Sequence, residues 1–147
     1  MRKNLPIILI RVIVGVVFLT EGILKFLDPV ELGAGRFAHI GLPLPGVLAP
    51  VVAVVEIVAG AATMLGLYAG DAALALLVVI LVALITTKIP ILLGHGFWRV
   101  HEVHAGRSGL LGFLHEARTD LAMLFGCVAI LIDSGLQLGR KKQWYQR

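Results

Sequence analysis

The chain has 147 residues, 59% hydrophobic and 15% charged, with a mean hydropathy of +0.95. A soluble domain is nearer half apolar and a quarter charged, so this balance excludes an ordinary globular domain and points to membrane helices. The net charge of +4 is small, and the basic residues gather at the two ends, which argues for topology signals and against a nucleic-acid surface.

Four apolar runs, at about 5–27, 47–67, 72–93 and 117–136, follow one another along the chain. Each is long enough to cross a hydrocarbon core of roughly 30 Å at about 1.5 Å per residue. Lipid offers the backbone no hydrogen-bond partners, so the runs are expected as helices. The expectation is an all-α fold, an integral membrane four-helix bundle. One transmembrane domain would span residues 1–147, with outer loops 28–46 and 94–116.

The first run follows Arg2-Lys3, as a secretory leader would. Arg11 interrupts it and no small-residue cleavage site comes after it, so a retained helix is expected. Pro29, Pro43, Pro45 and several glycines break the chain beyond it. "YAGD" reads as a tight turn between the second and third runs, with Asp71 as an N-cap. The segment "GHGFWRVHEVHAGRSGLLGF" joins the third to the fourth. Arg2, Lys3, Arg140, Lys141, Lys142 and Arg147 share the side of the two termini, against Arg36, Arg99 and Arg107 in the long loops. That excess makes the terminal side cytoplasmic. Phe97, Trp98, Trp144 and Tyr145 fall where interfacial aromatics anchor a bundle. The one cysteine, Cys127, excludes an intrachain disulfide and a CxxC pair. It lies in an apolar run, as a packed thiol does.

Charges inside the runs are the candidate functional groups. Counted along the helices at about 1.5 Å per residue, Arg11 lies ~9 Å from the inner boundary and Glu21 ~24 Å, with Lys25 near the outer boundary. Glu56 comes ~14 Å down from the outer side, close to the midplane. Glu21, Lys25, Lys88, Arg118 and Asp120 form an outer layer; Arg11 and Glu56 form a deeper one. Each buried ion costs roughly 2.5–3.5 kcal/mol at a helix centre, so pairing is expected. The expected pairs are Arg11 with Glu56, and Glu21 with Lys25 at i,i+4. At about 100° per residue, Arg11, Gly15, Phe18, Gly22 and Lys25 share one face, and Glu56, Gly60 and Thr63 share another on the second helix. Three readings stay open: ion pairs that fix helix register, a polar pocket for a ligand, and a proton or ion path.

The spacing Arg11-x3-Gly15-x2-Phe18-x3-Gly22-x2-Lys25 resembles the first-helix signature of the DoxX family of small four-helix membrane proteins. "GLPLPGVLAPVVAVVEIVAGAATMLGLYAG" is similar to that family's Gly-Leu-Pro-x-Pro segment, its Glu-x3-Gly (Glu56, Gly60) and its "LGLY" turn. The second half departs. Lys88 stands where the family often has a histidine late in the third helix. His95-Gly96-Phe97, with Glu116 or Asp120, echoes the family's Gly-Phe pair and the acidic residue that opens its fourth helix. The resemblance implies a prokaryotic inner-membrane protein associated with a redox system, with quinone as a candidate ligand and a redox enzyme as a candidate partner.

A quinone site needs an apolar slot, donors at two carbonyl oxygens and proton exchangers. Lys25, Lys88 and Arg118 are candidate donors; Glu21, Glu56 and Asp120 are candidate exchangers. The sequence holds no CxxCH, no cysteine cluster and no glycine-rich nucleotide loop, so electrons would come from a partner or from a noncovalently held cofactor. His95, His101, His104 and His115 are weak metal candidates, because "HEVH" lacks the HExxH spacing. A small-solute or proton transporter, and a non-catalytic membrane adaptor for redox enzymes, are the alternatives. The chain's surroundings would be the lipid bilayer, and a homo-oligomer is compatible with it.

Overall fold

In a computed structural model of the protein, residues 5–96 and 108–143 are described, with side chains placed through residue 135. The expected anchors Phe97, Trp98, Trp144 and Tyr145, and the histidines His101 and His104, lie outside the described residues. Among those described there are helices and turns and no strand. In order these are α1 (Leu5–Leu27), α2 (Ala34–Ile40), α3 (Pro45–Leu65), α4 (Ala69–Ala83), a π-helical turn (Leu84–Lys88), α5 (Ile89–Leu93) and α6 (Gly109–Gln143). Three stretches, Leu5–Leu27, Pro45–Leu65 and Ala69–Leu93, are long and apolar enough to cross a membrane. The helix α6 carries an apolar stretch at residues 121–132, bounded by Asp120 and Asp133.

The side chains are distributed as lipid requires. Large aliphatic residues such as Ile13, Val16, Val54, Val58, Leu74 and Ile85 point outward and are exposed, while the buried positions of α3 and α4 are mostly small: Ala49, Ala53, Ala59, Gly60, Ala69, Ala72, Ala73. Small residues let helix backbones approach closely, which drives packing where no hydrophobic effect operates between helices. The most extensive contact, α1 on α3, shows this directly. A Cβ on Gly15 would stand 2.6 Å from the Gly60 carbonyl oxygen, and one on Gly22 would stand 2.7 Å from that of Ala53. Gly15 opposite Gly60 and Gly22 opposite Ala53 also fix the pair as antiparallel. The α6 stripe Met123, Cys127 and Ile130 is buried against Val14, Phe18 and Leu76 in the core.

Chain breaks follow local chemistry. Gly41 and Gly66 end α2 and α3 at φ 91° and 73°. The next residues close the caps, Leu42 N–H donating to Phe37 O and Leu67 N–H to Ala62 O. The segment expected as a plain outer loop over 28–46 thus contains α2, whose Ile40 is buried. The helix α4 begins at Ala69, earlier than the apolar run suggests, so Asp71 sits inside the first turn and makes no side-chain cap; Tyr68 occupies the cap position. An acidic residue there still favours the positive end of the helix dipole.

The third span is interrupted. Pro90 has no N–H to give the Thr86 carbonyl, and its ring crowds that turn. Ile89 N–H instead reaches five residues back to Leu84 O. Thr86 and Thr87 hydroxyls donate to Val82 O and Ala83 O at 2.8 and 2.6 Å. The widened turn ends at Lys88 and re-aims that side chain.

Candidate functional site

Among the described residues, two of four ion pairs meet at Lys25. Lys25 Nζ donates to Glu56 Oε2 at 2.7 Å and lies 3.9 Å from Glu21. The Lys25 and Glu56 side chains are 11% and 5% exposed, whereas Glu21 is 52% exposed. Arg11 Nη2 pairs with Asp133 at 3.0 Å, joining α1 to α6. Lys88 stands 3.6 Å from Asp120, a charge contact longer than a hydrogen bond.

The expected pairing of Arg11 with Glu56 is therefore corrected, and the reason is geometric. Every Cα–Cβ bond in a helix tilts toward that helix's N-terminus. Lys25, late in α1, leans back toward mid-helix; Glu56, on the antiparallel α3, leans the opposite way, and the two meet. Arg11 leans away from Glu56, toward the inner end, where Asp133 of α6 leans toward it. Gly66, which ends α3, lies beside the guanidinium, its would-be Cβ at an ordinary contact distance of 3.5 Å from Arg11 Nη1. Glu21 keeps its place beside Lys25, as the second carboxylate near one ammonium.

Glu21, Lys25, Glu56, Lys88 and Asp120 all line one cavity of about 380 Å³, within the usual range for small-molecule sites. Arg11 and Arg118 do not line it. Arg118 is exposed and turns back along its own helix, donating to the His115 carbonyl. His95 and His115 are exposed, and no group of three or more His, Cys, Asp or Glu residues among those described is placed to hold a metal.

Further lining groups lie outside the residues picked from sequence, among them Arg36 and Phe37 on α2, Thr86 and Thr87 on the π turn, and Thr119 on α6. The signal for α2 was present in Phe37 and Ile40, spaced i,i+3 between glycines, with Gly41 as a stop. The signal for the threonines was the run Thr86-Thr87-Lys88 just before Pro90. Apolar residues of α1, α3, α4 and α6, Phe18, Val52, Ile80 and Met123 among them, complete the wall. Among the described residues the lining sets Glu21, Glu56 and Asp120 against Lys25, Arg36 and Lys88, so its formal charges cancel. An electroneutral cavity with donors on several walls suits a neutral ligand carrying hydrogen-bond acceptors.

Comparison with known proteins agrees with this part of the chain. The family model described as DoxX matches residues 7–89, which include most of α1, all of α2 to α4 and the π turn. The chain is 44% identical over 125 residues to "Uncharacterized membrane protein Rv3486" of Mycobacterium tuberculosis, covering 85% of this chain and 72% of that protein. No solved structure matches.

Proposed function

The chain belongs to the DoxX family, and on that premise we propose that it binds quinone in the cavity as an inner-membrane subunit of a redox assembly. In this reading α6 is the fourth span of a four-helix bundle and both termini are cytoplasmic, which places the cavity in the outer half of the membrane. The observation that carries the reading is the cavity itself: charged donors and carboxylates from α1, α3, the π turn and α6 converge on an apolar slot. A lining made only of register-fixing ion pairs would close on itself; this one encloses space. Lys88, held loosely by Asp120, is the donor to one ring carbonyl, and Glu21, beside Lys25 and half exposed, exchanges protons with the outer side. The redox step itself belongs to a partner enzyme, because this chain has none of the residue patterns that hold an electron carrier.

The test is extraction of quinone from protein purified in a mild detergent. Wild type should retain quinone near one per chain, and Lys88→Gln should lose most of it. A wild type free of quinone that also fails to bind added quinone would sink the reading.

One observation favours a second reading, solute or proton transport. The π turn and Pro90 interrupt a membrane-spanning stretch beside the cavity, and transporters place binding sites at broken helices. Flux into proteoliposomes that Glu56→Gln abolishes would select it over the first.

A further inference from the structure

We infer that the cavity is loaded sideways from the bilayer, through a window between α3 and α4, and that its ligand is a long-tailed amphiphile whose tail lies in that window. The inference rests on the ligand-binding reading above and adds the route and the shape of the ligand.

Val78 and Val82 of α4 line the cavity and are also 55% and 47% exposed on the outer surface of the protein. A residue that does both marks a mouth. The other side of α4 is occupied, because the turn that continues it carries Lys88 to Asp120 of α6. On the side of α4 that faces α3 the lining residues are Leu48 and Val52 of α3. The mouth is thus framed by four aliphatic side chains, with Thr86 one turn beyond Val82, its hydroxyl already donated to Val82 O. Val78 and Val82 lie about 14 and 20 Å along α4 from Ala69, at the depth of acyl chains in a membrane-spanning stretch.

The end of the cavity nearer the α1–α3 connection is different. There α2 lies across it, with Phe37 and Arg36 in the lining and Ile40 buried beneath. This end is open but polar, since Glu21 and Arg36 line the cavity and are exposed, so a ligand entering from water meets solvated charges. A ligand dissolved in lipid meets only valine and leucine, which carry no solvation to strip. Its polar head then reaches Lys25, Lys88 and the carboxylates, while an apolar tail can stay among the lipid chains at no desolvation cost.

The experiment uses the full chain in lipid nanodiscs doped with a bilayer-dissolved alkyl diazirine, irradiated and mapped by peptide mass spectrometry. Wild type should carry adducts at interior lining residues such as Val79, Ala83 and Thr86, as well as on the outer face at Leu74 and Leu81. Val82→Trp should cut the interior adducts about tenfold, the scale of a steric misfit in an apolar pocket, and leave the outer ones unchanged. Phe37→Trp, on the roof, should change neither. Interior adducts that are missing from wild type, or unaffected by Val82→Trp, would overturn the window. Quinone retention on the same samples separates the two readings: interior adducts without bound quinone uphold the window and remove quinone as the ligand.

Discussion

Lys25 has two carboxylates to satisfy, and the structure gives the shorter bond to the more deeply buried one. Glu56 is 5% exposed with Lys25 at 2.7 Å, so removing the ammonium leaves a nearly buried carboxylate without its closest counter-charge. Lys25→Met should destabilise the protein by about 3–5 kcal/mol, read as a fall in thermal midpoint in detergent. Lys25→Met combined with Glu56→Gln should recover most of that loss, because the pair together is worth far less than either member alone in the other's absence. Equal midpoints for the single and double variants would show that the pair is not coupled. Glu21 is visible in the sequence as an i,i+4 partner for Lys25 and Glu56 is not, since thirty-one residues separate Glu56 from Lys25. Only the antiparallel register of α1 and α3, with their side chains tilted toward opposite ends, brings that pair together.

Helix contacts here depend on glycine at particular positions. Gly60 packs against the α1 backbone so tightly that an added Cβ would stand 2.8 Å from Leu19 N. Gly60→Ala should therefore cost about 1–3 kcal/mol of stability, whereas Gly46, which has nothing within 4 Å of its would-be Cβ, should accept alanine without loss. Midpoints measured side by side check the contrast, and a harmless Gly60→Ala would mean that the α1–α3 seam is looser than described. The interruption after α4 has a matching test. Pro90→Ala restores a donor to the Thr86 carbonyl and should let the π turn relax to α-helix, which removes one residue from the bulge. Everything beyond the turn then rotates by about 100°, so Ile91, now buried, should shift its exposure. A spin label at position 91, compared with and without Pro90→Ala, reports that rotation as a change in oxygen accessibility; an unchanged value would assign the bulge to the threonines alone.

For the whole molecule, large aliphatic side chains cover the outside of the spans, and the charges that pair across helices lie at two levels. The Arg11–Asp133 pair ties α1 to α6 at one end, and the cavity occupies the other, with the Gly15–Gly60 contact and the Val14–Phe18–Ile130 core between them. The proposed four-span topology makes a prediction on this scale. Alkaline phosphatase fused after residue 147 should be inactive, because it stays in the cytoplasm, and a fluorescent protein at the same place should be bright. The opposite result would mean that α6, with its Glu116, Arg118, Asp120 and Asp133, does not cross.

The sequence by itself determined the membrane class, the three strongly apolar helices and the family, because hydropathy and short spacing motifs are local properties that need no partner. It also picked Glu21, Lys25, Glu56, Lys88 and Asp120, since a charge inside an apolar run is conspicuous wherever the chain folds it. The tertiary structure decided which charges face each other, that Arg11 and Arg118 stay away from the cavity, and that α2 lies across it. Those outcomes depend on helix register, on the direction in which side chains lean and on a proline that shifts a turn. None of these is a property of one segment; each arises only when two helices are set side by side.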